Sequence, residues 1–308
     1  MSMAMVFPGQ GSQSVGMLAE LGAAESVVRD TFTEASDALG VDLWALTQDG
    51  PEEELNRTDR TQPAMLTAGV AIWRVWQSRG GDAPVALAGH SLGEYTALVC
   101  AGALDFAAAV NLVADRGRFM QEAVPAGGGA MAALLGLDDA TVRAVCDQAG
   151  KVGTVEAVNY NAPGQVVIAG ASAAVEQAVE LAGEQGAKRA VTLPVSVPSH
   201  CQLMVPAAER LRERLAGVTL AAPTIPVINN VDVARASDPD AIRDALVRQV
   251  HNPVRWVETV GLLAEEGVTD LVEAGPGKVL AGLTKRIDKR VRAWPVHDRS
   301  SLEAALTR

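Results

Sequence analysis

Positive charge is scarce in this 308-residue sequence: 26 Lys and Arg stand against 37 Asp and Glu, a formal net charge of -11. Affinity for a phosphate backbone comes from clustered cations that release counterions, so a general nucleic-acid binder is excluded. The local exception is a stretch holding Lys278, Lys285, Arg286, Lys289, Arg290 and Arg292, which is either a patch for a polyanionic partner or an ordinary solvated surface. Cysteine is nearly absent too. Cys100, Cys146 and Cys201 form neither a paired framework nor a metal-ligand spacing, which points to a reducing compartment. No apolar run approaches the length of a membrane span, and the N-terminal MSMAMVFPGQG lacks a basic segment followed by a long apolar stretch. A cytoplasmic protein with no membrane partner is expected. There is no P-loop, no full dinucleotide-binding glycine pattern and no cluster of metal ligands, so no cofactor is called for.

Aromatic residues make up only 4% of the chain, while hydrophobic residues reach 48%. Abundant Ala, Val, Leu and Gly with few large rings suit helices packed tightly on a buried sheet. The expected fold class is α/β. Short apolar runs bounded by Gly or Pro alternate with segments of helical period, as strands joined by crossover helices do. Met3 to Phe7 reads as the first strand, Pro63 to Gln77 as a helix, Val85 to Ala88 as a buried strand and Leu92 to Ala101 as the helix after it.

The middle of the chain follows a different order: strand, helix, strand, strand, helix, strand. The segments are Ala130 to Leu135, Asp139 to Gln148, Thr154 to Asn159, Gln165 to Ala169, Ala173 to Glu184 and Arg189 to Val195. That is the ferredoxin-like order, entered through VPAGGG, a stretch with the turn chemistry of a linker. A helix from about Cys201 to Leu215 and a strand at Pro226 to Asn229 resume the larger pattern. The expected architecture is therefore an α/β-hydrolase-like parallel-sheet core, residues 1–125 and 197–308, interrupted by an inserted ferredoxin-like α+β subdomain, residues 126–196. The cleft between them is the natural place for a ligand.

Gly89-His90-Ser91-Leu92-Gly93 matches the Gly-x-Ser-x-Gly nucleophile elbow and lies between an expected strand and an expected helix. The pattern alone would be weak, since Gly and Ser commonly punctuate turns; the flanking elements make Ser91 the candidate nucleophile. A hydroxyl needs a base, and the chain has four histidines. His90 adjoins Ser91, but in the elbow its side chain diverges, which suits a structural hydrogen bond. His251 and His297 have no supporting context. His200, in VSVPSHCQLM, falls at an expected helix start with Ser199 as its cap, where the positive end of the helix dipole would keep the imidazole neutral. Its bland alternative is a satisfied histidine between packed elements.

Two further features carry chemical information. Arg116 falls on the apolar side of a helix beginning near Asp105, among Leu112, Val113, Phe119 and Met120. A guanidinium is costly to bury alone, so its partner is either an internal carboxylate or the free carboxylate of a substrate. PGQGSQ follows the first strand and exposes backbone amides, which makes the Gln10 amide a candidate oxyanion donor beside that of Leu92.

With these pieces placed, the chain resembles the free-standing malonyl-CoA:acyl carrier protein transacylases and the related acyltransferase domains of polyketide and fatty acid synthases, from residue 5 to about residue 287. The segments that carry the likeness are VFPGQGSQ, RTQPAM, GHSLGEYTAL, DRGRFMQ, NYNAPGQVVIAG, VSVPSHCQLM, QVHNPVRW and EAGPGKVLAGLTKRI, in that order. The resemblance implies that Ser91 bears the acyl group, that His200 is the general base, that the Gln10 and Leu92 amides form the oxyanion hole, and that Arg116 clamps the malonyl carboxylate. It further implies that the main-chain carbonyl of Gln249 orients His200, and that Asn159 and Asn161 line the cleft, although an Asn at a strand connection also has a purely structural reading. The implied partners are malonyl-CoA and acyl carrier protein. The implied reaction is ping-pong malonyl transfer for fatty acid synthesis, with polyketide synthesis from malonyl or methylmalonyl units as the alternative. His251 departs from the aromatic residue that family members often have there. Two rivals share features of this pattern: a serine hydrolase acting on acyl thioesters, and a non-catalytic module that binds the carrier.

Overall fold

A strand covered on both faces has no polar side to alternate with, and Met3–Phe7 (β1) is buried at every position. The computed structural model describes residues 2–195 and 197–308. Around β1 stand Ala86–Gly89 (β2), Val227–Ile228 (β7), Asp270–Ala274 (β8) and Arg292–Val296 (β9), giving a five-stranded sheet ordered β7-β2-β1-β8-β9. Every pairing in it is parallel. Helices cover both faces, as the continuous apolar runs require.

The remaining strands are Gly129–Leu135 (β3), Val155–Ala162 (β4), Gln165–Ala171 (β5) and Arg189–Thr192 (β6), in an antiparallel sheet ordered β4-β5-β3-β6. Helices Asp139–Ala149 and Ser172–Glu184 pack on one face through Val142, Val145, Val175 and Leu181. The other face, with Met131, Val167 and Ala169, packs against Cys201. The expected mixed α/β fold with a ferredoxin-like second sheet is thus present. Its last strand is shorter than expected: Leu193 still donates to Met131, but Pro194 has no amide to continue the ladder. Ser196, placed at the expected end of the insertion, lies outside the described residues.

Two helices differ from the sequence expectation. The one expected from Pro63 begins five residues earlier and runs Thr58–Ser78, with Pro63 inside it at the loss of the bond an amide there would make to the Asp59 carbonyl. The stretch after His200 opens with a short 3₁₀ turn, Gln202–Met204, before the helix Val205–Ala216. His200 therefore precedes the helix by several residues and adopts φ of 68° in a turn. Ser199 is not its cap.

The turn from β2 into the helix Gly93–Cys100 has no room for side chains at its glycines. A Cβ on Gly89 would lie 1.8 Å from the Gly93 carbonyl carbon, and one on Gly93 would lie 2.0 Å from the Phe7 oxygen. The helix can start directly against β1 only because both positions are bare. Gly93→Ala is expected to destabilise the protein by about 2 kcal/mol or more. Thermal or denaturant unfolding checks this, and an unchanged midpoint would contradict the close packing described.

Candidate active site

The elbow holds Ser91 at φ of 53°, a left-handed conformation that costs a non-glycine residue about 1–2 kcal/mol. Asn230, from the loop after β7, secures it. The Asn230 Oδ1 accepts from the Ser91 amide at 2.7 Å, and its Nδ2 donates to the Gly89 carbonyl at 2.6 Å. One side chain thus bridges both limbs of the turn.

His200 faces Ser91, with Nε2 2.7 Å from Ser91 Oγ. Its Nδ1 is 2.8 Å from the Gln249 carbonyl oxygen. A carbonyl only accepts, so Nδ1 carries the proton and Nε2 presents its lone pair to the serine. Burial, reinforced by the nearby Arg116 charge, pulls the imidazole down to about 3, despite the bond to Gln249. The neutrality expected from a helix dipole therefore has a different source: His200 is 2% exposed and sits close to a cation.

Arg116, 1% exposed on the helix Phe106–Ala123, occupies the same pocket. Among the described residues no carboxylate forms an ion pair with it, so the bland alternative of an internal Asp or Glu partner fails. Two glutamines hold it instead: Nη1 donates to Gln62 Oε1 at 2.8 Å and Nη2 to Gln249 Oε1 at 3.0 Å. Nη2 also reaches Ser91 Oγ at 3.2 Å, and the guanidinium lies 5.4 Å from the Tyr95 ring centroid. Amide oxygens stabilise the cation without neutralising it, so it remains available to an anion.

Gln249, fully buried, also spends its amide hydrogens here. Its Nε2 donates to the Ser91 carbonyl at 3.0 Å and to Glu94 Oε2 at 2.8 Å. Glu94 in turn accepts from the Asn230 amide at 2.9 Å, and burial pushes its carboxyl up to about 7 against those bonds. Sequence reasoning named Gln249 for its carbonyl alone and missed Gln62, Glu94 and Asn230. Of these only Glu94 had a local signal, as a polar residue interrupting the apolar stretch GEYTALVC.

Ser91, His200, Arg116 and Gln62 line a cleft between the two sheets, walled by Met120, Met131, Leu193 and Val197. Gln10 and Leu92 lie on its lining, and among the described residues neither backbone amide has a protein acceptor. Leu92 stands at the start of the helix Gly93–Cys100, where the first amides point outward. The two asparagines sit within strand β4, where the ladder to β5 is irregular, and not at a strand connection. Asn159 lines the cleft with a buried, unpartnered Oδ1. Asn161 is bonded to His90 Nε2 at 2.8 Å, which gives His90 the structural bond expected of it. His251 is only partly buried and touches neither Ser91 nor His200 through a hydrogen bond of its ring.

Residues 4–297 match the acyl transferase domain family. The chain is 61% identical over 303 residues to the malonyl CoA-acyl carrier protein transacylase of Escherichia coli K12, with 98% of each chain covered. It is 45% identical to the Bacillus subtilis protein of the same name, over 98% of this chain and 96% of that one. Among solved structures, an acyl-carrier-protein S-malonyltransferase from Burkholderia pseudomallei superposes with a TM-score of 0.98 at 61% identity, covering all of both chains. A malonyl-transacylase solved in complex with its type II PKS acyl-carrier protein gives 0.98 at 58% identity, covering 100% of this chain and 99% of that one. Matched along its length in sequence, fold and order of elements, this chain belongs to the acyl transferase family and, within it, to the malonyl-CoA:acyl carrier protein transacylases.

Proposed function

We propose that this chain moves the malonyl group from malonyl-CoA to the pantetheine thiol of acyl carrier protein through a malonyl-serine intermediate. The observation that carries the reading is the convergence of Ser91 Oγ on both a neutral imidazole at 2.7 Å and an unneutralised guanidinium at 3.2 Å. The first is what a nucleophile needs, and the second is what an acyl group ending in a carboxylate needs.

In the first half-reaction Ser91 Oγ attacks the thioester carbonyl while its proton passes to His200 Nε2. The resulting oxyanion lies against the free amides of Gln10 and Leu92. The C–S bond then breaks, and the CoA thiolate leaves with the proton from His200. In the second half the carrier thiol gives its proton to His200, attacks the serine ester, and Ser91 recovers the proton as the C–O bond breaks. Proton transfer of this kind contributes about 10²- to 10⁴-fold, and each oxyanion donor about 10²- to 10³-fold. Arg116 binds the malonyl carboxylate by two parallel hydrogen bonds. No step requires a cofactor.

Fatty acid synthesis is the destination we assign to the malonyl group. Supply of polyketide synthesis is the second reading, favoured by the similar transacylase solved with a type II PKS carrier. We place the reaction in the cytoplasm. The three buried, unpaired cysteines support that, and no helix of the described residues is long and apolar enough to cross a membrane.

Incubation with malonyl-CoA and no carrier is expected to leave one malonyl group on Ser91, seen by mass spectrometry of the intact protein and its peptides. Acceptor-independent release of malonate with no adduct would favour the hydrolase. Arg116→Ala is expected to lose about 10²-fold or more in kcat/KM for malonyl-CoA while keeping or gaining transfer from acetyl-CoA, because nothing then rewards the carboxylate. Equal loss on both substrates would refute the clamp.

The state of His200 is separately measurable. A histidine whose folded pKa lies below its unfolded value favours folding when neutral, so its contribution is complete above the unfolded pKa and is lost as pH falls toward the folded one. With His200 drawn down to about 3, its ring signals in nuclear magnetic resonance should show no protonation between about pH 8 and about pH 5. A titration near the ordinary histidine value would show that the imidazole is not kept neutral by its surroundings.

A further inference from the structure

Glu94 and Arg116 are buried in one network without touching, and the Gln249 carboxamide stands between them. Both hydrogens of Gln249 Nε2 are spent, on the Ser91 carbonyl at 3.0 Å and on Glu94 Oε2 at 2.8 Å. These oxygens lie at acceptor positions, so Nε2 cannot trade places with Oε1 without setting oxygen against oxygen on one side and amide hydrogens against a guanidinium on the other. The carboxamide is left with one orientation, in which Oε1 receives Arg116 Nη2 at 3.0 Å. Glu94 is itself pinned by the Asn230 amide at 2.9 Å, the same residue that secures the Ser91 turn.

The spacing has an electrostatic consequence. A carboxylate in direct contact with Arg116 would pair with it and occupy the positions a substrate carboxylate requires. One carboxamide of separation transmits the anchoring without supplying the competing charge. We propose that Glu94 is a specificity-positioning residue: through the Gln249 carboxamide it holds the Arg116 guanidinium beside Ser91 Oγ as an unpaired cation, and so sets the preference for acyl groups that end in a free carboxylate. This rests on the reading of Arg116 as the clamp for that carboxylate.

A purely structural glutamate would affect every acyl substrate alike, so selectivity is the quantity to measure. Transfer to acyl carrier protein is followed from malonyl-CoA and from acetyl-CoA with the full-length wild type, Glu94→Met, Glu94→Gln, Arg116→Ala and the Glu94→Met/Arg116→Ala double variant. Glu94→Met keeps the bulk and removes the acceptor. It is expected to lower the malonyl-to-acetyl ratio of kcat/KM by about tenfold, chiefly through a higher KM for malonyl-CoA. Glu94→Gln should recover most of the ratio, because both bonds fall on a single oxygen, Oε2, which a glutamine carbonyl can replace. In the Arg116→Ala background Glu94→Met should leave the ratio within about twofold, since there is no guanidinium left to position.

A wild-type ratio in folded Glu94→Met, an equal drop in the Arg116→Ala background, or no recovery by Glu94→Gln would each overturn the proposal. If Glu94→Met does not fold, Glu94→Asp takes its place under the same criteria, its carboxylate being one methylene short of Gln249. Arg116→Ala with the wild-type ratio would instead sink the clamp itself, an outcome distinct from those that sink Glu94 alone.

Discussion

The proton on His200 Nδ1 is held by a main-chain oxygen, at 2.8 Å from the Gln249 carbonyl, and the chemistry of the site depends on its staying there. With that proton fixed, Nε2 is a base. Were it on Nε2, the ring would offer Ser91 a second donor and no acceptor. A carboxylate could hold Nδ1 equally well in isolation, but here it would stand beside a buried guanidinium and be drawn to it. A carbonyl orients the ring and leaves the charge alone. The same economy of charge recurs around Arg116, whose side-chain partners are amide oxygens of Gln62 and Gln249 and the Ser91 hydroxyl. The site thus concentrates one net positive group where a dicarboxylic acyl group would put its free end, and keeps the base neutral partly by means of that same cation.

Holding these groups together requires backbone that sequence preferences alone would not adopt. Ser91 and His200 both have positive φ, at 53° and 68°. Each is held from outside its own segment: the Ser91 amide by the Asn230 side chain at 2.7 Å, and the His200 amide by the Val250 carbonyl at 3.0 Å. Strain of this kind persists only where surrounding structure over-determines it. Asn230 and residues 249–250, far along the chain, supply that determination, and they reach the elbow because β7 lies beside β2 and the helix Pro239–Gln249 ends at the site. The discontinuous core is therefore a functional arrangement as well as a packing one.

What the sequence disclosed follows from the range of each interaction. Elements governed by local pattern were legible: β1 was read to the residue, and the strand-helix-strand order of the second sheet emerged from alternation and turn residues. Ser91 was legible because its turn demands glycines at fixed spacing, and Arg116 because a cation on an apolar helix face is conspicuous. His200 was found for a reason that proved incomplete. Its neighbours in sequence resembled a helix start, whereas its low basicity comes from burial and from a residue in another helix. Gln62 and Asn230 were not found, because no local rule marks a polar side chain whose partners lie 54 and 139 residues away, and Glu94, whose Gln249 partner lies 155 residues away, showed only as a polar residue in an apolar stretch.

The direction of the Ser91 proton follows from the same set of partners. Two groups approach Oγ, the guanidinium from one side and the imidazole from the other. Arginine can only donate, so the hydroxyl must accept from it and turn its own hydrogen to its one remaining partner among the described residues, His200 Nε2. In the proposed mechanism Arg116 prepares Ser91 before any substrate arrives, by fixing the hydroxyl rotor and by favouring charge on Oγ as its proton departs. On the same proposal, a bound acyl carboxylate would give the guanidinium a stronger acceptor than a hydroxyl, and its hold on Oγ would weaken as the oxygen becomes an ester, which accepts poorly. The exchange of partners matches the chemical change at the serine. On the proposed mechanism one guanidinium thus serves both the free and the acylated enzyme.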